Sequence, residues 1–138
     1  MKIHIVQENE EHIQGYERVV ITEEGVELEK VSDNECTFIL ASGCLDAIRI
    51  ENIEEFLIKL RQKMRIGASL AIGGTDLRVF CRAVVNGGIA PQDASKVFAK
   101  NRSCSDVNHV VDVLQKLGLK VMTTTISGVY YEIEASRQ

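Results

Sequence analysis

The 138 residues contain no tryptophan and a single proline, Pro91, so neither a proline-rich linker nor a polyproline segment is encoded. No apolar run approaches the roughly 20 residues that a membrane-spanning helix needs. Four cysteines (Cys36, Cys44, Cys81 and Cys104) form no C-x-x-C pair, and His4, His12 and His109 do not sit at ligand spacing from them. That pattern argues against a structural zinc site, so no metal is expected and the cysteines read as buried or half-buried free thiols. G-x-G-x-x-G, P-loop and G-x-S-x-G sequences are all missing, which leaves nucleotide-phosphate and serine-hydrolase chemistry without a site. Met1 opens into an alternating segment rather than a secretory leader, and the expected location is cytoplasmic.

What is present is ordinary for a globular protein: 45% apolar and 26% charged residues, in a length that suits one domain, residues 1–138. The net charge of −4 is unevenly spread. Residues 1–35 hold ten acids against Lys2, Arg18 and Lys30, a balance of −7, which leaves +3 on the rest. An acidic first third is a poor surface for phosphate backbones, and Lys59, Arg61, Lys63 and Arg65 read as the solvated face of a helix. Nucleic acid is therefore disfavoured as a partner, and a membrane is not expected. A protein partner, a small molecule or a second copy of the chain remain the open classes.

Alternation predicts strands at residues 2–6 and 18–22, with a short third at 26–28. Ser32, Asp33 and Asn34 mark a turn before the compact apolar run 36–40, which has the pattern of a covered strand. Asn52 with Glu55 resembles a capping box for a helix whose stripe is Ile53, Phe56, Leu57, Leu60 and Met64, closed by Gly67. Residues 68–72 predict the next strand. Leu77, Phe80, Cys81, Val84 and Val85 give a second helical stripe, ended by Asn86, Gly87 and Gly88. Pro91 suits the first turn of another short helix. Ser103 or Ser105 is the expected cap of the last helix, which runs through Val107, Val110, Val111, Leu114 and Leu117 to Gly118. Residues 119–125 and 129–134 predict a terminal hairpin around Ser127 and Gly128. The order implies an α/β fold: a mainly parallel sheet, one antiparallel strand from that hairpin, and helices packed on it.

In their order, several short segments resemble class I S-adenosylmethionine methyltransferases. Asp33-Asn34-Glu35 leads into the run from Cys36 to Leu40, and Leu45-Asp46-Ala47-Ile48 stands where that family has a Leu-Glu-His-Ile-like motif. Met64-Arg65-Ile66-Gly67-Ala68 is similar to the family's Leu-Lys-Pro-Gly-Gly turn, and Thr75-Asp76 to its Pro-Asp. Leu117-Gly118-Leu119-Lys120-Val121 and the stretch from Tyr130 to Arg137 look like its closing strands. In outline, residues 1–6, Gly15-Tyr16 and Val19-Val20-Ile21-Thr22 resemble its opening. The resemblance implies a Rossmann-like methyltransferase fold with helices on both faces, and S-adenosylmethionine as cofactor. By family position the cofactor residues would be Gln7, Glu8, Asn9, Thr22, Glu23, Asp33, Ser42 and Gly43.

The departures from that pattern fall at the cofactor loop. Gln7, Glu8 and Asn9 stand where the family has glycines that let the backbone approach the methionine moiety. Glu8, Glu10 and Glu11 would face the carboxylate of the cofactor. Thr22 replaces the acid that takes the ribose hydroxyls, although Glu23 is next in line, and Ala47 removes a polar side chain from the active-site rim. Asp46 and Asp76 are the candidates for acid–base work, each weighed against a plain helix-capping role. Cys44 lacks a histidine placed to activate it. The expectation is a methyltransferase-fold protein with an eroded cofactor site that acts as a non-catalytic binding or regulatory module, S-adenosylmethionine not being held tightly. The alternative is an active S-adenosylmethionine-dependent methyltransferase that acts on a small molecule, glycan or lipid precursor through an altered loop.

Overall fold

A computed structural model describes residues 1–22 and 25–138. Strands β1 (Lys2–Gln7), β2 (Glu17–Thr22), β3 (Gly25–Val26), β4 (Cys36–Ala41), β5 (Met64–Thr75), β6 (Leu119–Ser127) and β7 (Tyr130–Arg137) make one sheet in the order β3-β2-β1-β4-β5-β7-β6. Strands β1, β2, β4 and β5 pair in parallel, so their carboxyl ends share one margin of the sheet. The expected antiparallel strand is β7, inserted between β5 and β6 by the terminal hairpin. A second reversed strand departs from the expectation of one: β3 runs antiparallel to β2 and is only two residues long, where the pattern suggests a strand at 26–28.

Helix α1 (Ile53–Lys63) buries Ile53, Phe56, Leu57 and Leu60, the 3.6-residue stripe read from the sequence. Helix α4 (Val107–Lys116) buries Val107, Val110, Val113 and Leu114. Both stripes meet Ile3, Ile5, Val19, Ile39, Leu70, Ile72 and Ile133 in one core cluster, and the strand registers put those side chains on the same side of the sheet. Leu57 is 0% exposed at the centre of this layer. Leu57→Ala should therefore lower stability by about 3 kcal/mol, read as a drop in the urea midpoint with an unchanged slope.

The covering of both faces is realised unevenly, because α1 and α4 share one side. On the other side His4, Val20, Phe38 and Leu40 stay half-buried. The connection crossing from β1 to β2 is residues 8–16, nine residues with no helix, whereas parallel strands are usually joined by a dozen or more with one. Arg18 holds that segment down by donating to the carbonyls of Glu8 (2.8 Å) and Glu10 (3.3 Å). The Tyr16 ring packs edge-on against His4 and Phe38, with the Lys2 ammonium over its face.

The His4 imidazole accepts a hydrogen bond at Nδ1 from the Ile13 amide (3.1 Å), which needs that nitrogen unprotonated. Burial, and secondarily the charge of His12, hold its pKa below the ordinary 6.5, against an upward pull from Glu10. A histidine depressed in the fold stabilises fully above its unfolded pKa, and that stability drains away as pH falls below it. The chain should thus lose stability as pH is lowered from about 7 to about 5, and His4→Gln should flatten that part of a melting-temperature profile.

Four local readings shift once packing is seen. Asn52 makes no capping hydrogen bond with its side chain; a 3-10 turn at Ile50–Asn52 runs straight into α1 instead. Met64, at the end of the helical stripe in the sequence, opens β5, and Gly67 lies inside that strand. Between the Cys36↔Met64 and Phe38↔Ser69 pairs, β5 carries three residues more than β4, and Arg65, Ile66 and Gly67 (φ +87°) bow out there. The cap of α4 is Asp106, which accepts from the Asn108 amide (2.9 Å). Ser103 instead donates to the Leu45 and Ile48 carbonyls, and the Ser105 hydroxyl pairs with the Tyr131 hydroxyl. Helix α2 (Leu77–Val85) buries Phe80 alone, edge-on to Phe98 of α3 (Pro91–Lys100), and Leu77 and Val85 are exposed.

Candidate functional site

The strand order reverses between β1 and β4, since β2 follows β1 to one side and β5 follows β4 to the other. In open α/β sheets ligands bind outside the carboxyl ends of the strands at such a point. A cavity of about 300 Å³ opens here, with Gln7 at the end of β1 and Glu10 beyond it, Ser42 and Gly43 after β4, and Asp46 and Asn101 behind. A neighbouring hollow of about 410 Å³ lies beyond the end of β2, bordered by Thr22, Arg49, Phe56, Lys59 and Arg102.

Gln7 ends β1 in a closed turn: its amide donates to the Glu10 carboxylate (3.3 Å), and its carbonyl accepts from the Glu10 amide (3.0 Å). Glu8 and Asn9 form the exposed tip of that turn. Ser42 donates to the Glu132 carboxylate, which β7 brings across from the far end of the chain. Gly43 has φ +72° and starts a 3-10 turn, Cys44–Ala47, a left-handed position that favours glycine. Thr22 sits at the end of β2, where its carbonyl accepts from Arg102 (3.1 Å), a guanidinium that also reaches the Ala47 carbonyl (3.2 Å). Glu23 lies outside the described residues.

Asp33 does not join this group. It precedes β4 at the amino end of the sheet, and there it pairs with Lys63 at 2.8 Å. In a parallel sheet the residues before a strand and those after it lie a strand length apart, so Asp33 cannot share a ligand with Ser42 or Gly43.

Both acid–base candidates are committed to the backbone. Asp46 takes the Thr75 amide on one carboxylate oxygen (2.7 Å) and the Thr75 hydroxyl on the other (2.8 Å). Its reading as a helix cap is replaced by this tie between the 3-10 turn and the end of β5. Asp76 does cap α2, accepting from the Val79 amide (3.0 Å), and its second oxygen accepts from the Val107 amide at the start of α4 (2.9 Å). Cys44 is buried, and burial pushes its thiol pKa far up, with the Asp46 charge adding to the effect, which disfavours the thiolate form a nucleophile needs. Among the described residues no cluster of three or more His, Cys, Asp or Glu side chains is arranged to hold a metal ion, and no helix is long and apolar enough to cross a membrane.

Sequence reasoning missed Glu132, Lys100, Asn101 and Arg102 at this margin. Glu132 arrives through the antiparallel return of β7, and the other three through the end of α3 and the loop after it. No local motif marks any of them.

No family model matches the sequence, and no curated protein matches it. Solved structures do. One S-adenosylmethionine-dependent methyltransferase, from Archaeoglobus fulgidus, superposes with a TM-score of 0.60 at 14% identity over 90% of this chain and 77% of its own. Another, from Thermotoga maritima, gives 0.59 at 19% identity over 90% of this chain and 65% of its own. An O-methyltransferase family protein from Burkholderia thailandensis gives 0.60 at 12% identity over 81% of this chain and 33% of its own. The chain thus spans between a third and about three-quarters of these proteins' lengths. At such identities the likeness is one of architecture, and the chain has the Rossmann-like α/β fold of the class I S-adenosylmethionine methyltransferases.

Proposed function

We propose that this protein is a non-catalytic binding or regulatory module, which keeps the sheet and carboxyl-end cleft of the methyltransferase fold without holding S-adenosylmethionine tightly. The observation that carries this reading is the path from β1 to β2. A dinucleotide-type cleft relies on a glycine turn after its first strand and on the helix N-terminus that follows, whose free amides receive the ligand. Here nine non-helical residues replace both.

The residues present do not fit the cofactor. Gln7, Glu8 and Asn9 carry side chains where a close backbone approach is needed. The Gln7 backbone amide is taken by the Glu10 carboxylate, and that carboxylate borders the cavity, an unfavourable charge for a ligand that itself carries a carboxylate. Asp46 and Asp76 have both oxygens engaged with backbone or hydroxyl groups, and Cys44 is buried. None of these three side chains stands ready to take a proton from a methyl acceptor.

Thermal melting in excess S-adenosylmethionine, or in excess of its demethylated product, tests this. A ligand at about 100 times its dissociation constant adds about 2.7 kcal/mol to the folded state, several degrees for a domain of this size. The melting temperature should stay unmoved; a rise of several degrees would favour the active enzyme.

A further inference from the structure

Strand β6 closes one end of the sheet, with β7 on one side and, among the described residues, no strand on the other. It is nine residues long, from Leu119 to Ser127, and every side chain from Met122 onward is exposed. Long uncovered edges offer a row of backbone amides and carbonyls to any second strand, and proteins usually blunt them with charge, proline or brevity. Beyond the exposed Lys120 and the register shift at Met122, this edge has little of that protection: residues 121–127 read Val-Met-Thr-Thr-Thr-Ile-Ser, with no charge and no proline. Its one irregularity is the register shift between Val121 and Thr123, which leaves Thr123 to Ser127 regular. The opposite edge, β3, is two residues long.

We propose that β6 pairs antiparallel with β6 of a second copy of this chain, joining two seven-stranded sheets into one. This stands apart from the reading of the cleft, which lies at the carboxyl-end margin between β1 and β4. A twofold contact must be self-complementary, and the side chains of β6 are. Thr123 and Thr125, both exposed, lie one residue to either side of Thr124 within the regular stretch, and Met122 falls in the register shift before it. A twofold axis through Thr124 sets Thr123 of each copy against Thr125 of the other, within the regular stretch. Cross-strand threonine pairs of this kind stabilise sheets. The lack of charge also favours a copy of the same strand: a net charge of −4 would oppose self-association elsewhere, but the contacting residues bring no like charges together.

Sedimentation equilibrium of the whole chain, up to about 100 μM, is the test. The unaltered protein should approach twice its 15.4 kDa mass. Thr124→Lys places two ammonium groups against each other at the axis and should return the mass to that of a monomer, and Thr124→Glu should do the same. Mixing these two variants should restore the dimer, because the axis then pairs opposite charges; a misfolded variant would not be rescued in this way. A monomeric parent at the highest concentration would overturn the proposal. So would a dimer indifferent to both single variants, or an extended peptide of another protein that binds β6 while the chain itself stays monomeric.

Discussion

Gly73→Ala should be the most damaging small substitution in this chain, leaving little folded protein. A Cβ built at Gly73 falls 2.0 Å from the Tyr131 carbonyl oxygen and 3.1 Å from the Glu132 Cα. Both atoms belong to the backbone of β7, paired antiparallel with β5 at this point, so no side-chain rotation can make room. These two interior strands would have to part, and overpacking against backbone in a sheet interior should cost about 4 kcal/mol or more. Gly74→Ala is the natural comparison. There the added methyl meets the Asp46 carboxylate oxygen at 2.8 Å, at the end of a side chain that can turn, and the Leu45 Cβ only at 3.3 Å, so the loss should be smaller. Circular dichroism melting of the pair gives the answer, and equal melting temperatures for the two variants would contradict the close approach of β5 and β7.

Asp76→Ala should cost about 4 kcal/mol, since each buried amide left unpaired costs about 1–3 kcal/mol. The side chain is 2% exposed and serves two helices at once, capping α2 through the Val79 amide and fixing the start of α4 through the Val107 amide. Asp76→Asn keeps the shape but turns one acceptor into a donor, facing an amide that also donates. It should lose well over half as much, whereas an acid needed only for chemistry would tolerate the amide with its stability intact. Urea unfolding of both variants separates these outcomes.

The parts of the fold legible in the sequence are those where one local signal outweighs its surroundings. Residues 2–6, 18–22 and 36–40 alternate or run apolar because the sheet buries them. The α1 stripe through Ile53, Phe56, Leu57 and Leu60 reads correctly because a buried face must repeat every 3.6 residues. The terminal hairpin is marked by Gly128, whose φ of +62° suits a glycine, although the strands meet one residue later than Ser127-Gly128 suggests. Asp76 as a cap is also legible, from an acid placed just before an apolar stripe.

What the sequence hides depends on partners distant along the chain. Ser103 and Ser105 look like caps, but their hydroxyls are drawn to Leu45, Ile48 and Tyr131, and Asp106 takes the capping position. Gly67 looks like a helix stop, yet its left-handed backbone serves an irregularity where β5 outruns β4. Asp33 shares a motif with Asn34 and Glu35, but the direction of β4 sends it to the wrong end of the sheet for the cleft. Nor does pattern reveal that residues 8–16 cross between parallel strands without a helix, because a missing helix leaves no periodicity behind. That absence bears most heavily on function.

Calorimetric titration of the unaltered chain with S-adenosylmethionine, at low and at high salt, is the most direct test of whether the segment after β1 excludes the cofactor. Exclusion by the closed Gln7–Glu10 turn predicts no binding tighter than roughly millimolar, about −4 kcal/mol, at either salt concentration. Screening Glu8, Glu10 and Glu11 weakens only the repulsion between charges and leaves the turn in place. Micromolar binding in either buffer would contradict this reading and favour the alternative, an active methyltransferase with an altered cofactor loop.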